Sequence, residues 1–344
     1  MVLEVSTRCN LQCIHCFRYG ARGFRYIDME FEEYKKIVDN AVESGVKRVV
    51  FTGWGEPTVN RSILDMLSYA KSRGLTTVLN TNGVRLREIA ADLVKMGLDE
   101  LYVSIDAVDL DLYEKIRRLG DLSVVSKGLE ILFEVKKKLD SRKPIVKTIF
   151  TITKLNLSNI QKLLDYAVEV NIIEIYLSLY IPYLGGLEGI SCEDEDCIRE
   201  LKEQLEKIAI RAINMPIRIW SPNLSSYTSR LCPFIANKAL FVRSDGKVTP
   251  CMYLAYNWVT MIRGVRREIR EHIIGDALRE KLSDIWRRNM EMYFKLYFNY
   301  MPSCIDCELV NWCSYTISSD IDCWGNSPNC AHCPYHYKFS YCPL

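Results

Sequence analysis

The chain has no run of about 18 apolar residues, so no helix long enough to cross a membrane is expected. Its opening residues, Met1-Val2-Leu3-Glu4-Val5, carry neither the basic segment nor the apolar stretch of a secretory signal, which points to a cytoplasmic protein. A net charge of +2 over 344 residues gives no electrostatic case for nucleic acid or an anionic membrane surface as partner. Hydrophobic content of 49% and charged content of 26% are those of an ordinary globular protein, and the length accommodates one large domain and a smaller one. What is abundant is cysteine, fourteen in all. In a cytoplasmic chain that number argues for metal rather than disulfides. Three lie near the N-terminus, Cys192 and Cys197 lie mid-chain in an acidic stretch, and nine fall between Cys232 and Cys342. Cys192 and Cys197 read as free thiols, or as a disulfide if the host is a hyperthermophile.

Cys9, Cys13 and Cys16 have the spacing C-x3-C-x2-C. Three is the wrong number for a closed metal site, since structural zinc takes four protein ligands. An iron–sulfur cubane that only carries electrons also takes four thiolates. Three thiolates on one loop leave one iron without a protein ligand and open to a small molecule. A zinc site completed by His15 or a distant cysteine is the competing reading. The spacing resembles the signature of the radical S-adenosylmethionine (SAM) superfamily, in which an aromatic residue precedes the last cysteine; here His15 does. The resemblance implies a [4Fe–4S] cluster on these cysteines that binds SAM. Its electron cleaves SAM to a 5′-deoxyadenosyl radical, which abstracts hydrogen from a substrate.

The first two-thirds alternates strands and helices. Strands are expected at Leu3–Ser6, Arg48–Thr52, Thr76–Asn80, Glu100–Asp106, Ile145–Thr153 and Ile173–Tyr180. Between and after them, helices are expected from Tyr34 to Gly45 and at Ser62–Arg73, Glu88–Lys95, Val124–Leu139, Asn159–Val170 and Ile198–Ala212. Six such units predict an α/β fold with a parallel sheet, barrel-like or doubly wound. The family resemblance selects a partial (β/α)6 barrel with its active site at the carboxyl ends of the strands. Gly53-Trp54-Gly55-Glu56-Pro57 follows strand two and resembles the family's Gly-Gly-Glu-Pro turn. There Gly55 lets the backbone approach the ligand, and Glu56 accepts from the SAM ammonium. The same resemblance places Ser104 on the SAM ribose and Arg117 near its carboxylate, with Asn82 and Thr151 as further strand-end polar groups. A surface salt bridge is the competing reading for Arg117.

Composition shifts near Ser221-Pro222-Asn223, dividing residues 1–222 from 223–344. The second part carries Cys232, Gly246 and Cys251 as C-x13-G-x4-C, then Cys304, Cys307 and Cys313 as C-x2-C-x5-C, then Cys323, Cys330, Cys333 and Cys342. This resembles the cysteine-rich SPASM extension of radical SAM enzymes, which holds one or two auxiliary [4Fe–4S] clusters; structural zinc is the alternative. By analogy Cys232 and Cys251 serve one cluster and Cys304, Cys307 and Cys313 the other, while the last four cysteines stay unassigned. The family's usual cysteine four residues after the third of the C-x2-C-x5-C set is Ile317 here. Arg263, Arg266, Arg267 and Arg270 read as a solvated face, or else as a site for an anionic substrate or a partner.

The segment from Asp322 through Gly325-Asn326 and Pro328 to Cys330 and Cys333 resembles a narrower SPASM group. Its members are named maturases or cofactor-modifying proteins for tungsten-containing aldehyde:ferredoxin-type oxidoreductases. The resemblance implies a small reductant protein such as ferredoxin as partner, with a tungsten oxidoreductase or a peptide as substrate. Other activities stay open: crosslinking of a peptide, haem-precursor decarboxylation, and plain electron carriage. The chain starts at strand one without the winged-helix domain of many peptide modifiers, and an open iron is no use to a carrier.

Overall fold

The computed structural model describes residues 1–183, 185–186, 189–225 and 230–344. Six strands carry the first part: β1 (Val2–Leu3), β2 (Arg48–Phe51), β3 (Thr76–Thr81), β4 (Glu100–Ser104), β5 (Ile145–Ile152) and β6 (Glu174–Leu179). Each pairs in parallel with the next, with Val2 opposite Val50, Val50 opposite Val78 and Leu79 opposite Leu101. A doubly wound sheet would reverse its order at β1; the order here runs straight through, as in a barrel. Val2, Leu3, Phe51, Leu79, Leu101 and Val103 are all buried, as parallel strands covered by helices require.

The helices follow the apolar periodicity. In α1 (Phe31–Glu43), Tyr34, Ile37, Val38 and Ala41 form the buried stripe, and Gly45 at φ +83° ends the turn in the left-handed region that glycine favours. In α2 (Ile63–Ser72) the buried stripe is Ile63, Met66, Leu67 and Ala70. Leu64, which the sequence also placed on that face, is half-buried. There follow α3 (Leu86–Lys95), α4 (Leu110–Ile116), α5 (Leu122–Lys138), α6 (Asn159–Glu169) and α7 (Glu195–Ala212). The last begins three residues before the expected Ile198, because the Asp194 carboxylate accepts from the Cys197 N–H at 3.0 Å and caps it. Cys192 and Cys197 are joined as a disulfide.

The sequence reading missed strands at both edges. β7 (Arg218–Trp220) continues the parallel run beyond β6. On the other side β8 (Phe241–Val242) pairs in parallel with β1, and β9 (Lys247–Thr249) turns back antiparallel to it. The C-terminal part thus lengthens the barrel's own sheet. A hairpin of β10 (Trp258–Ile262) and β11 (Val265–Ile269) stands apart, and β12 (Gly275–Asp276) closes the edge against β9. Glu4 fastens the join. Its buried carboxylate accepts from the Trp54 N–H at 2.8 Å, from the Ser244 hydroxyl at 3.1 Å and from the Tyr256 hydroxyl.

Candidate active site at the carboxyl ends of the strands

The cysteine loop leaves β1 and is held on both sides. Thr7 exchanges backbone and side-chain bonds with Ile27, at 2.9 Å and 2.7 Å, and its hydroxyl donates to Arg25 O at 2.7 Å. Further on, Gln12 N donates to Arg118 O and Ile14 N to Ile116 O, tying the loop to the end of α4. A turn closed by Cys16 N on Cys13 O brings those two residues together. All three cysteines are free thiols.

The loop after β2 rests directly on this segment. Glu56 N donates to Arg8 O at 2.7 Å. A Cβ on Gly55 would lie 2.3 Å from Ser6 O and 2.6 Å from Arg8 O. The close approach that demands glycine is therefore to the cysteine loop's own backbone. Glu56 is 4% exposed and already engaged: Oε1 accepts from Thr58 N, Thr58 Oγ1 and Thr81 Oγ1, and Oε2 from Asn82 N at 2.7 Å. Four donors match the roughly four acceptor positions of a carboxylate, and Oε2, with one donor, is the less crowded oxygen. Trp54, where the family pattern has glycine, donates Nε1 to Met252 O and packs against Phe17, Tyr256 and Trp258, clamping the C-terminal part to the loop.

Asn82, after β3, donates to Asn10 Oδ1 at 2.7 Å and touches the Cys9 sulfur at 3.9 Å. Ser104 ends β4, and its hydroxyl has no hydrogen-bond partner among the described residues. Arg117 is no surface residue. Its Nε donates to Asp106 Oδ2 at 2.6 Å, with the two side chains 6% and 1% exposed. His15 Nε2 reaches the same oxygen at 3.3 Å, and the Thr151 N–H donates to Asp106 Oδ1 at 2.7 Å. Asp106 is thus the hub that the sequence reading passed over; its signal was a carboxylate two residues past a strand-end serine. Burial pushes the His15 imidazole below its ordinary range, and Asp106 only partly offsets it. Nδ1 of the same ring is buried without a partner.

These residues meet in one cavity of about 230 Å³. Cys9, Cys13, His15 and Cys16 line it with Gly55, Glu56, Asn82, Ser104, Arg117 and Thr151. Its far wall is the C-terminal segment, including Tyr335 and Tyr341. That wall is fastened to β6 by Tyr341 N on Ser178 Oγ at 2.8 Å and by Ser340 Oγ on Leu179 O at 2.7 Å.

The remaining thiols fall into two sets. Burial raises the thiols of Cys330, Cys333 and Cys342 well above the usual range, and the nearby thiolates of Cys232 and Cys251 raise them further. Burial, then Asp322, Cys313 and Cys307, do the same to Cys323; Cys304 also feels Cys323 and Cys313. Cys323 thus lies within electrostatic reach of Cys307, Cys313 and Cys304, and Cys330, Cys333 and Cys342 within reach of Cys232 and Cys251. Ligation by a metal would replace the thiol protons. Among the described residues no three His, Cys, Asp or Glu side chains converge on a single ion. The donor sets, three free thiols beside an open cavity, a group of four that reaches the surface at Cys323 and a more buried group of five, fit iron–sulfur clusters.

Family models match residues 3–167 as the radical SAM superfamily and residues 232–308 as an iron–sulfur cluster-binding domain, SPASM. The tungsten-containing aldehyde ferredoxin oxidoreductase cofactor-modifying protein of Pyrococcus furiosus is 29% identical over 351 aligned positions, covering 100% of this chain and 97% of that protein. A probable GTP 3′,8-cyclase of Methanocaldococcus jannaschii is 25% identical, covering 86% and 95%. Two solved structures share the fold. AdoMet-bound anSMEcpe has a TM-score of 0.68 at 17% identity, covering 98% of this chain and 95% of that one. Streptococcus suis SuiB bound to precursor peptide SuiA has 0.66 at 20%, covering 91% and 70%. With the three-thiol loop at the mouth of a parallel barrel and thiol-rich walls behind it, the chain belongs to the radical SAM superfamily and is a radical SAM enzyme with a SPASM iron–sulfur domain.

Proposed function

We propose that the cavity holds SAM against a [4Fe–4S] cluster ligated by Cys9, Cys13 and Cys16. We propose further that the enzyme matures a tungsten–pterin oxidoreductase or its cofactor by hydrogen abstraction. The observation that carries the first part is the convergence of the three free thiols with the strand-end polar residues on one cavity. The second part is supported by full-length similarity to the Pyrococcus furiosus protein. When bound, the cluster supplies the electron that cleaves SAM reductively to a 5′-deoxyadenosyl radical.

The chain's own residues orient and enclose. Glu56 faces the SAM ammonium with Oε2, its less crowded oxygen. Arg117, held by Asp106, offers its terminal N–H groups to the carboxylate. Ser104 Oγ is available to the ribose, Thr151 lines the same wall, and Asn82 steadies Cys9. His15 Nδ1, unpartnered on the cavity wall, is available to the bound nucleoside. Tyr335 and Tyr341 close the far side and keep water from the radical.

The two groups of thiols support a reading of two auxiliary clusters. Cys304, Cys307, Cys313 and Cys323 hold one. Four of Cys232, Cys251, Cys330, Cys333 and Cys342 hold the other, and the fifth thiol lies beside it. A small reductant such as ferredoxin delivers the electron, in the cytoplasm. At four irons per cluster, about twelve per reconstituted chain are expected, against about eight for a single auxiliary cluster. The substrate assignment is tested by incubating reduced enzyme and SAM with the tungsten–pterin cofactor, free and in its host oxidoreductase. Stimulated 5′-deoxyadenosine with a changed cofactor mass supports it. No stimulation, alongside a crosslinked peptide found in extract, refutes it.

A further inference from the structure

Three of the four arginines that read as a solvated face are one. Arg263 pairs with Asp306 at 2.7 Å, Arg266 with Glu268 at 2.8 Å and Arg270 with Asp320 at 2.9 Å, all at the surface. Arg267 departs from the pattern. It sits on β11 opposite Thr260 of β10, and strand alternation turns it inward. It is 1% exposed and is the bulkiest fully buried side chain among the described residues. Among the described residues no carboxylate lies within ion-pair distance of it. Nη1 donates a long bond to Ile262 O at 3.3 Å, and Nε is buried with no partner. Glu193, Tyr253 and Tyr337 feel its charge without pairing with it. A guanidinium does not shed its proton, and a buried cation without a countercharge is strongly disfavoured.

Its surroundings supply a reason. β11 is stitched to the segment between Cys313 and Cys323: Ser319 N donates to Glu268 O at 2.8 Å, and Arg270 N to Ser319 Oγ at 2.8 Å. From there Asn329 N reaches Ser319 O, and Cys304 N donates to Ala331 O at 3.1 Å, joining the two cysteine loops. The Cys304 thiol feels the Arg267 charge more than that of any other group. Beside it, His332 and His336 are buried with neither ring nitrogen partnered, and the Tyr253 hydroxyl is buried and unpartnered. So many orphaned donors around free thiols mark the edge of something anionic and rich in acceptors.

We infer that Arg267 is the buried countercharge of the auxiliary iron–sulfur centres, donating toward cluster sulfur and favouring the reduced state. It is a tuning residue, not a catalytic one. The inference rests on the two-cluster reading above. Four thiolates give a cluster net negative charge, and reduction adds one more, so a fixed cation and N–H donors raise the potential.

The test is an EPR-monitored redox titration of full-length protein in which Cys9, Cys13 and Cys16 are alanine, so that auxiliary iron alone is read. Arg267→Met is compared with Arg267→Lys, which keeps the charge. With iron content equal, Arg267→Met lowers at least one auxiliary potential by a tenfold or larger change in the reduction equilibrium, about 59 mV for one electron. Arg267→Lys stays near the parent. Loss of auxiliary iron in Arg267→Met with retention in Arg267→Lys also supports the charge role. Unmoved potentials at full iron, or equal damage in both variants, overturn it. No auxiliary iron in the parent overturns the cluster reading, and this inference with it.

Discussion

Gly55→Ala is a one-carbon change with a calculable effect. The added Cβ would stand 2.3 Å from Ser6 O and 2.6 Å from both Thr7 C and Arg8 O. Ordinary contact begins near 3.4 Å, so the two backbones must part by about 1.1 Å (3.4 − 2.3). All three neighbours are backbone, so no rotamer change relieves the clash. Overpacking of this kind costs about 1–3 kcal/mol, and here the upper end applies. The larger consequence is positional. The displaced residues lead straight into Cys9, and Glu56 N loses its 2.7 Å bond to Arg8 O. A shift near 1 Å at a reacting centre can cost about 10²-fold in rate. The assay is paired: thermal unfolding of the as-purified chain, and 5′-deoxyadenosine formed per SAM-site cluster after reconstitution. The control is Gly45→Ala, also strained at φ +83° but with nothing within 4 Å and remote from the loop. Gly55→Ala should lose several degrees and most of its SAM cleavage; Gly45→Ala should lose stability alone. Full iron and undiminished cleavage in Gly55→Ala would refute the reasoning.

Other predictions are simpler to state. Cys13→Ala should abolish SAM cleavage while retaining about eight auxiliary irons per chain; retained cleavage would break the ligand assignment. Asp106→Asn leaves Arg117 buried without its countercharge and should cost about 3–5 kcal/mol in chemical denaturation; a loss under about 1 kcal/mol would show that the pair is not the hub described. Asp99 gives a pH signature. Burial pushes its carboxyl up, but Lys143, Lys71 and the Thr77 N–H outweigh that and hold it below the ordinary range. A depressed native value stabilises above the unfolded value of about 3.9, and that stability is lost as pH falls through the native one. Asp99→Asn should therefore unfold at lower temperature than the parent at pH 7, with the gap closing below about pH 4. A gap independent of pH would contradict the linkage.

Much of this site was legible because its parts are local. Cys9, Cys13 and Cys16 declare themselves by spacing, and Gly55, Glu56, Asn82 and Ser104 each follow an apolar strand. Once six strands are placed, parallel topology brings all of them to one rim. What the sequence hid depends on contacts between distant segments. β7, β8 and β9 are two or three residues long, and only the sheet edge beside them makes them strands. Asp106 looked like one more strand-end carboxylate until Arg117, His15 and the Thr151 N–H were placed around it. Arg267 lay among three ordinary surface arginines, and charge pattern alone cannot turn one residue of four inward. Cys323 and Cys330 are close in sequence yet have different thiols as neighbours, and the chain between them folds back through Asn326 and Asn329.

The central claim is that the three-thiol loop holds a cluster with an iron open to SAM. The most direct measurement is EPR of the anaerobically reconstituted, dithionite-reduced full-length protein with and without SAM, with 5′-deoxyadenosine quantified in the same samples. The account predicts that SAM alters the signal of one cluster, that 5′-deoxyadenosine exceeds the protein-free control, and that both effects vanish in Cys13→Ala. With iron fully loaded, a spectrum indifferent to SAM and no 5′-deoxyadenosine, even in the presence of cell extract, would contradict it.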